Sequence, residues 1–210
     1  MTRATRRREP WAKAIAHLRR VDPYCAAMID RVGPCRLEPS SHRFSTLVRS
    51  IISQQISSKA VAAIDARLRA IGGDPHAPEA LLALGEGTLR SVGLSQAKAR
   101  YVLNLAEAVA SRNAPLDEFD SWEDEAIIAR LTAVKGIGRW TAEMFLIFAL
   151  NRPDVLPAGD LGVRAAIRKR FGLAELPRPG QCAPLVEHWR PFRTVAIWYC
   201  WRDGDGQGEG

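Results

Sequence analysis

Apolar residues recur along the chain at the three- and four-residue spacing that is typical of amphipathic helices. The clearest stripe consists of five apolar residues at positions i, i+3, i+4, i+7 and i+8: Phe44, Leu47, Val48, Ile51 and Ile52. A helix that carries this stripe would end near Gln54 and bury one face. We find no convincing run of alternating apolar and polar residues, the pattern that predicts a strand.

Residues that begin or end helices divide the rest of the chain into short segments. Ser57 or Ser58 is a candidate N-cap, Ser95 is another, and Asp120-Ser121 resembles the start of a capping box. Further helices are predicted over residues 10–20, 23–32, 79–84, 140–150, 161–171, 182–189 and 192–201. The predicted fold class is all-α, with about ten short helices in two lobes and a crease between them for a ligand.

The length and composition indicate a globular protein without a membrane span. The chain has 210 residues, of which 47% are hydrophobic and 25% charged, so disorder is not expected. The longest apolar run, Met144–Leu150, is far shorter than the roughly 20 residues that cross a bilayer. The basic start of the chain lacks the apolar stretch of a secretory signal. We expect a soluble, cytoplasmic protein, associated with the nucleoid if the source is bacterial.

The net charge of +7 lies in the body of the chain, because residues 1–9 and 203–210 carry opposite charges that cancel. Residues 131–170 alone hold seven cations against three acids. A folded region this basic favours a polyanionic partner. Charge alone does not identify nucleic acid as that partner, since many soluble proteins are mildly basic.

Cysteine and histidine do not occur at metal-binding spacings. The four cysteines form no Cys-x-x-Cys pair, and the four histidines form no His-Glu-x-x-His motif. We therefore expect reduced thiols, neither zinc nor an iron–sulfur cluster, and no cofactor.

The most informative segment is LTAVKGIGRWTAEMFLIFAL, residues 131–150. One helix is predicted to end near Val134, and another to begin near Arg139 after a turn that contains Gly136 and Gly138. Such a turn exposes backbone N–H groups at a helix N-terminus, where a phosphate binds without side-chain specificity.

The other residues of this turn fit a grip on a nucleic-acid backbone. Ile137 would point inward and anchor the turn, and Lys135 and Arg139 would add positive charge at its edge. An ordinary connection between two helices, with glycine at the cap, is the alternative for this motif.

A single carboxylate follows a Pro/Gly loop in PAGDLGVRAAIRKRFG, residues 157–172. Asp160 stands at the predicted start of a helix, where aspartate is favoured as an N-cap. The alternative is that the loop presents this carboxylate to a ligand site. Glu143, within the second helix of the hairpin, and Asp154, in the loop after it, are placed less clearly.

Five segments together resemble the helix–hairpin–helix superfamily of base-excision DNA glycosylases. They occur in the order LVRSIISQQIS, LRSVGLSQAKARYV, LTAVKGIGRWTAEMFLIFAL, PAGDLGVR and VAIWYCWR. They cover about residues 44–202 and are similar to the DNA-3-methyladenine glycosylase II branch. The resemblance implies an all-α fold of two helical lobes with a cleft between them.

The resemblance also implies a division of the chain. Residues 1–43 would pack with the C-terminal part as one lobe, and residues 44–155 would form the lobe with the helix–hairpin–helix (131–150). Residues 156–202 would carry the catalytic aspartate. Residues 203–210, which alternate glycine with acids, are expected to be a disordered tail.

Individual roles follow from the same resemblance. Asp160 would be catalytic. The base pocket would be lined by Trp140, Trp198, Phe44, Tyr199 and Gln54, although core packing is the commoner fate of such aromatics. DNA would be contacted by Gln55, Lys135, Gly136, Ile137, Gly138, Arg139 and Arg164. Carbonyl oxygens of Thr132, Val134 and Gly136 would hold a monovalent cation, Na⁺ or K⁺.

Three departures from the superfamily narrow the expected activity. Trp140 occupies the position where the strand-cleaving branch has a lysine, and an indole cannot form a Schiff base with the sugar. Only Cys182 and Cys200 occur where the iron–sulfur members have four clustered cysteines. A chain of 210 residues also leaves no room for the additional N-terminal α/β domain of larger members, so the compact, single-function form is expected.

We therefore expect a monomeric, monofunctional DNA glycosylase without lyase activity. It would flip an alkylated base of the 3-methyladenine type out of double-stranded DNA and hydrolyse the N-glycosidic bond. The alternatives are a glycosylase for oxidised or deaminated bases, or a non-catalytic helix–hairpin–helix DNA-binding protein.

Overall fold

The computed structural model describes residues 11–54, 56–71 and 77–205, and within these ranges the protein is helical without any strand. These ranges contain eleven α-helices, in the order α1 (Ala12–Val21), α2 (Pro23–Val32), α3 (Arg43–Ser53), α4 (Ser58–Ala70), α5 (Pro78–Ser91), α6 (Gln96–Ala110), α7 (Asp124–Thr132), α8 (Arg139–Phe148), α9 (Leu161–Phe171), α10 (Pro179–Leu185) and α11 (Arg193–Asp205). The predicted all-α class is confirmed. None of the described helices has both the length and the apolar character to cross a membrane.

The chain folds as two units that are described separately. Residues Pro39–Asn151 form the central unit, and the residues up to Glu38 together with those from Arg152 onward form the terminal unit. The central unit contains α3 to α8, and the terminal unit contains α1, α2, α9, α10 and α11.

The core of the central unit is built on the apolar stripe of α3. Leu47 and Ile51 are completely buried, and α3 packs against α8 and α6. The rings of Phe119 and Phe145 meet edge to face with their centroids 5.9 Å apart. The apolar spacing therefore predicted the buried face of α3 correctly, and α8 is buried along nearly its whole length.

The core of the terminal unit contains a buried carboxylate, Asp22, which caps α2. Asp22 accepts hydrogen bonds from the indole of Trp189 (2.7 Å), the guanidinium of Arg170 (2.9 Å) and the backbone N–H of Tyr24 (2.9 Å). The Nε2 atom of His188 lies 3.1 Å from the same carboxylate. Several charged and polar partners thus compensate for the burial of Asp22.

Several helix boundaries differ from the sequence predictions, two of them for a clear local reason. Gly85 has a left-handed φ of +71° that bends α5 between two helical parts. Helix α7 begins after Glu123, because Asp120 and Ser121 form part of a 3₁₀ turn instead of a capping box.

The predicted disordered tail, residues 203–210, is wrong at its start. Helix α11 continues to Asp205, and the carboxylate of Asp203 accepts two hydrogen bonds from Arg31 at 2.7 and 2.9 Å. This ion pair joins the last turns of α11 to Arg31 on α2. Residues 206–210 lie outside the described ranges.

Candidate nucleic-acid interface and active site

The hairpin of the central unit joins α7 to α8 through residues 133–138. Helix α7 ends at Thr132, and Gly138 is the N-cap of α8. The N–H of Ile137 donates to the carbonyl of Val134 at 3.0 Å, which closes the turn. Ile137 is 4% exposed, as expected for the residue that anchors the turn.

The two glycines of the hairpin have different structural requirements. Gly136 has a φ of +105°, which residues with a side chain rarely adopt. A Cβ atom at this position would also overlap the side chain of Tyr101 from α6. Gly138 has an ordinary φ of −89°, and no described atom lies within 4 Å of a Cβ built there. The backbone angle and the contact with Tyr101 thus require glycine at position 136. Nothing in the described part of the protein requires glycine at position 138.

The two cations at the hairpin are in different environments. Lys135 is exposed, and its carbonyl accepts a hydrogen bond from Asn104 on α6 at 3.1 Å. Arg139 is bound to two carboxylates, Glu125 (3.1 Å) and Glu143 (3.0 Å), and its hydrogen bond lowers the pKa of Glu125. The positive charge expected from Arg139 is therefore offset within the protein.

The end of α3 brings Gln54 next to α8. The side-chain amide of Gln54 donates to Thr141 Oγ1 at 3.1 Å, and Thr141 is buried beside Trp140. Trp140 lines a cavity of about 510 Å³ between α3 and α8. Gln55, which was predicted to contact DNA, lies outside the described residues.

Asp160, in the terminal unit, is the N-cap of α9. Its Oδ1 atom accepts hydrogen bonds from the N–H of Val163 (2.9 Å) and from the indole N–H of Trp201 on α11 (3.0 Å). The side chain is half-buried. The N-cap interpretation of Asp160 is correct, and two donors fix the orientation of the carboxylate.

Trp201 was not predicted as a site residue, although it belongs to the recognised VAIWYCWR segment. Its indole lies across the first turn of α9, where a Cβ atom at residue 162 would be 3.3 Å from Trp201 Cδ1 and 3.2 Å from Asp160 Oδ1. Gly162 therefore makes room for the contact. Trp201 also lines a cavity of about 650 Å³ bounded by α2, α9 and α11.

The remaining predicted pocket aromatics are placed differently from one another. Trp198 is buried, and the guanidinium of Arg202 lies 5.5 Å from its ring centroid. The prediction that Tyr199 lines the base pocket needs correction. The residue is 1% exposed, and its hydroxyl donates to the carbonyl of Gly33 at 2.9 Å. Tyr199 is therefore a core residue of the terminal unit.

Phe44 and Arg164 also have structural roles. Phe44 is buried in α3 and borders a different cavity from the one lined by Trp140. Arg164 donates through Nε to the carbonyl of Pro177 at 2.8 Å, which ties the loop after α9 to that helix.

Within the described ranges, histidine, cysteine, aspartate and glutamate form no cluster of three or more that could hold a metal. The four cysteines all fall in those ranges, are buried and carry thiols. The carbonyl of Val134 already accepts one hydrogen bond, from Ile137, and retains a second lone pair. It is thus compatible with the predicted monovalent cation, for which it would be one of three ligands.

The fold and these motifs define a class of protein. The model of the HhH-GPD superfamily of base excision DNA repair proteins matches residues 48–191. The chain belongs to this superfamily.

Relatives within the superfamily cover most of the chain. DNA-3-methyladenine glycosylase 1 of Schizosaccharomyces pombe is 37% identical over 90% of this chain and 86% of its own length. DNA-3-methyladenine glycosylase 2 of Escherichia coli is 27% identical over 79% of this chain and 59% of its own length. The solved structure of the S. pombe 3-methyladenine DNA glycosylase Mag1 in complex with abasic DNA superposes with a TM-score of 0.83 at 36% identity, covering 92% of this chain and 97% of that one.

Proposed function

We propose that the protein is a monofunctional DNA glycosylase that removes alkylated bases of the 3-methyladenine type during base excision repair. The observation that carries this proposal is the carboxylate of Asp160, oriented by Val163 and Trp201 at the start of α9. Membership of the superfamily and the names of the relatives support it.

The hairpin supplies a grip on DNA that does not depend on sequence. Backbone N–H groups at the start of α8, beside the bare Gly138, can donate to a phosphate oxygen, and the helix dipole favours that anion. Lys135 adds one exposed cation. Since Arg139 is already bound to two carboxylates, the main chain makes the larger contribution to this grip.

Base release requires the target nucleotide to leave the stack, at a cost of a few kcal/mol. The C1′–N bond then breaks and its electron pair leaves with the base, which alkylation has already made a good leaving group. Positive charge develops on the sugar, and ionised Asp160 stabilises that charge or orients the attacking water. Water adds its hydroxyl to C1′, its remaining proton passes to Asp160 or to solvent, and an abasic site is left.

Recognition of an alkylated purine requires aromatic surface, because the base is cationic. A cation over an indole face gains about 1–2 kcal/mol when water is excluded. Trp140, which lines a cavity, is the stronger candidate for this contact. Trp198 is the weaker candidate, because it is buried and the guanidinium of Arg202 already lies at one face of its ring. Gln54, bonded to Thr141, completes the proposed recognition residues.

Base release without strand cleavage is expected, because the chain places no amine nucleophile at the start of α8. Trp140 offers no amine for attack on C1′. The Nζ of Lys98 donates to the carbonyls of Ile52 and Gln54, each at 2.7 Å, so these contacts hold the amine at the end of α3. Hydrolysis by water is therefore the proposed route, and one copy of the chain is sufficient for a single lesion.

The test is direct detection of the released base. The purified protein is incubated with duplexes that each carry one defined alkylated, oxidised or deaminated base, and the free bases are identified by mass spectrometry. Release of 3-methyladenine or 7-methylguanine from intact strands supports the proposal. Release of oxidised or deaminated bases alone would favour the other glycosylase specificity, and binding without any release would indicate a non-catalytic DNA-binding protein.

A further inference from the structure

Lys98 lies in the first turn of α6, where a cation opposes the helix dipole. Burial lowers the pKa of its ammonium group. The same group donates to the carbonyls of Ile52 and Gln54, both at 2.7 Å. Because these carbonyls end α3, where a cation is favoured, Lys98 stabilises the end of α3 and not its own helix.

Two further residues of α6 contact the hairpin. The ring of Tyr101 covers Gly136, and the side-chain amide of Asn104 donates to the carbonyl of Lys135 at 3.1 Å. Lys98, Tyr101 and Asn104 follow one another at intervals of three residues, which places them on one side of the helix. One side of α6 thus contacts both the end of α3 and the DNA-gripping turn.

Gln54 is held from two directions. Its carbonyl accepts from Lys98 on α6, and its side chain donates to Thr141 on α8. It also directly follows Ser53, the last residue of α3. The contact from Lys98 therefore holds the backbone at the end of α3.

We infer that Lys98 is a positioning residue, which holds Gln54 in fixed register with the hairpin that grips the DNA. This inference rests on the proposed function, because Gln54 is there assigned to face the damaged base. A base-facing group must be placed to within a fraction of an ångström of the nucleotide that the hairpin presents, and a shift of about 1 Å can reduce a rate about a hundredfold.

The test compares Lys98→Met, which retains the aliphatic chain and removes the donors, with Lys98→Arg, which can still donate to both carbonyls. Lys13→Met, on the exposed surface of α1, is the charge-matched control. We expect Lys98→Met to lower single-turnover base release about tenfold to a hundredfold. Affinity for undamaged DNA should stay within a factor of about three, since the hairpin amides are unchanged. Lys98→Arg should restore most of the rate, and Lys13→Met should behave as the wild type.

A double-mutant cycle separates positioning from general stabilisation. If Lys98 acts through Gln54, then Lys98→Met should have little further effect on the rate in a Gln54→Ala background. An equal loss in both backgrounds, or a wild-type rate for Lys98→Met, would overturn the inference. If Lys98→Met does not fold, the same cycle is run with Lys98→Gln, which retains one donor group. Failure of the wild type to release any base would instead contradict the proposed function.

Discussion

The two glycines of the hairpin offer a way to separate folding from DNA binding. Gly136→Ala forces a side chain into a φ of +105° and into the ring of Tyr101. The strain of the left-handed backbone costs about 1–3 kcal/mol, and the overpacking costs a similar amount, about 1–3 kcal/mol. We expect Gly136→Ala to lower the free energy of unfolding by about 3 kcal/mol and the thermal midpoint by about 10 °C.

Gly138→Ala is the matched control, because an added methyl group meets no described atom within 4 Å and φ is an ordinary −89°. Its stability should stay within about 1 kcal/mol of the wild type. A phosphate at the start of α8 would be displaced by the methyl group, and the loss of one charge-assisted hydrogen bond is worth about 1.5–3 kcal/mol. The affinity for DNA should therefore fall at least tenfold.

Both variants are measured by thermal unfolding and by fluorescence anisotropy with a labelled duplex at one fixed salt concentration. Wild-type affinity in the well-folded Gly138→Ala variant would refute the grip through backbone amides. Wild-type stability of Gly136→Ala would refute the hairpin conformation and its contact with Tyr101.

Three further predictions concern the rest of the site and the core. Trp201→Phe removes the indole donor to Asp160, and it should slow single-turnover base release about tenfold without weakening DNA binding. Asp22→Ala leaves Arg170 without its buried carboxylate and should lower the free energy of unfolding by about 3–5 kcal/mol at neutral pH, measured by denaturant unfolding. Borohydride should trap no covalent complex with lesion DNA, as judged by gel electrophoresis, because Trp140 provides no amine.

The outcomes that contradict these predictions are distinct. Equal rates for Trp201→Phe and the wild type would mean that the indole does not position Asp160. Efficient borohydride trapping would mean that an amine of this chain attacks the sugar.

The contribution of Asp22 to the free energy of unfolding should also depend on pH. Burial by itself raises the pKa of Asp22, but the hydrogen bonds from Trp189 and His188 outweigh it and the net pKa is lowered. The stabilisation is therefore present above the unfolded carboxyl pKa of about 4 and is lost as the pH falls. The difference between the thermal midpoints of wild type and Asp22→Ala should begin to shrink below about pH 4, and a constant difference down to pH 2.5 would contradict this assignment.

The elements with local signals were predictable from the sequence. The bounds of α9 and the capping role of Asp160 follow from an aspartate after a Pro/Gly loop, and the structure has the helix at Leu161–Phe171. The hairpin likewise follows from two glycines placed between two apolar segments. In each case the determining interactions lie within a few residues along the chain.

The contacts that orient the site were not predictable, because they join residues far apart in sequence. Trp201 reaches Asp160 across 41 positions, and Lys98 reaches Gln54 across 44. Helical spacing indicates which face of α11 or α6 is buried but not which partner it meets. The pairing of Arg139 with Glu125 was missed for the same reason, since it depends on how α7 and α8 cross.

The most direct test of the central claim is base release by Asp160→Asn. Asparagine retains an acceptor for the N–H of Val163, so the cap of α9 and the fold should persist. We expect lesion-DNA affinity close to that of the wild type, with single-turnover release of the methylated base reduced at least a hundredfold. Release by Asp160→Asn at close to the wild-type rate would contradict the assignment of this carboxylate to catalysis.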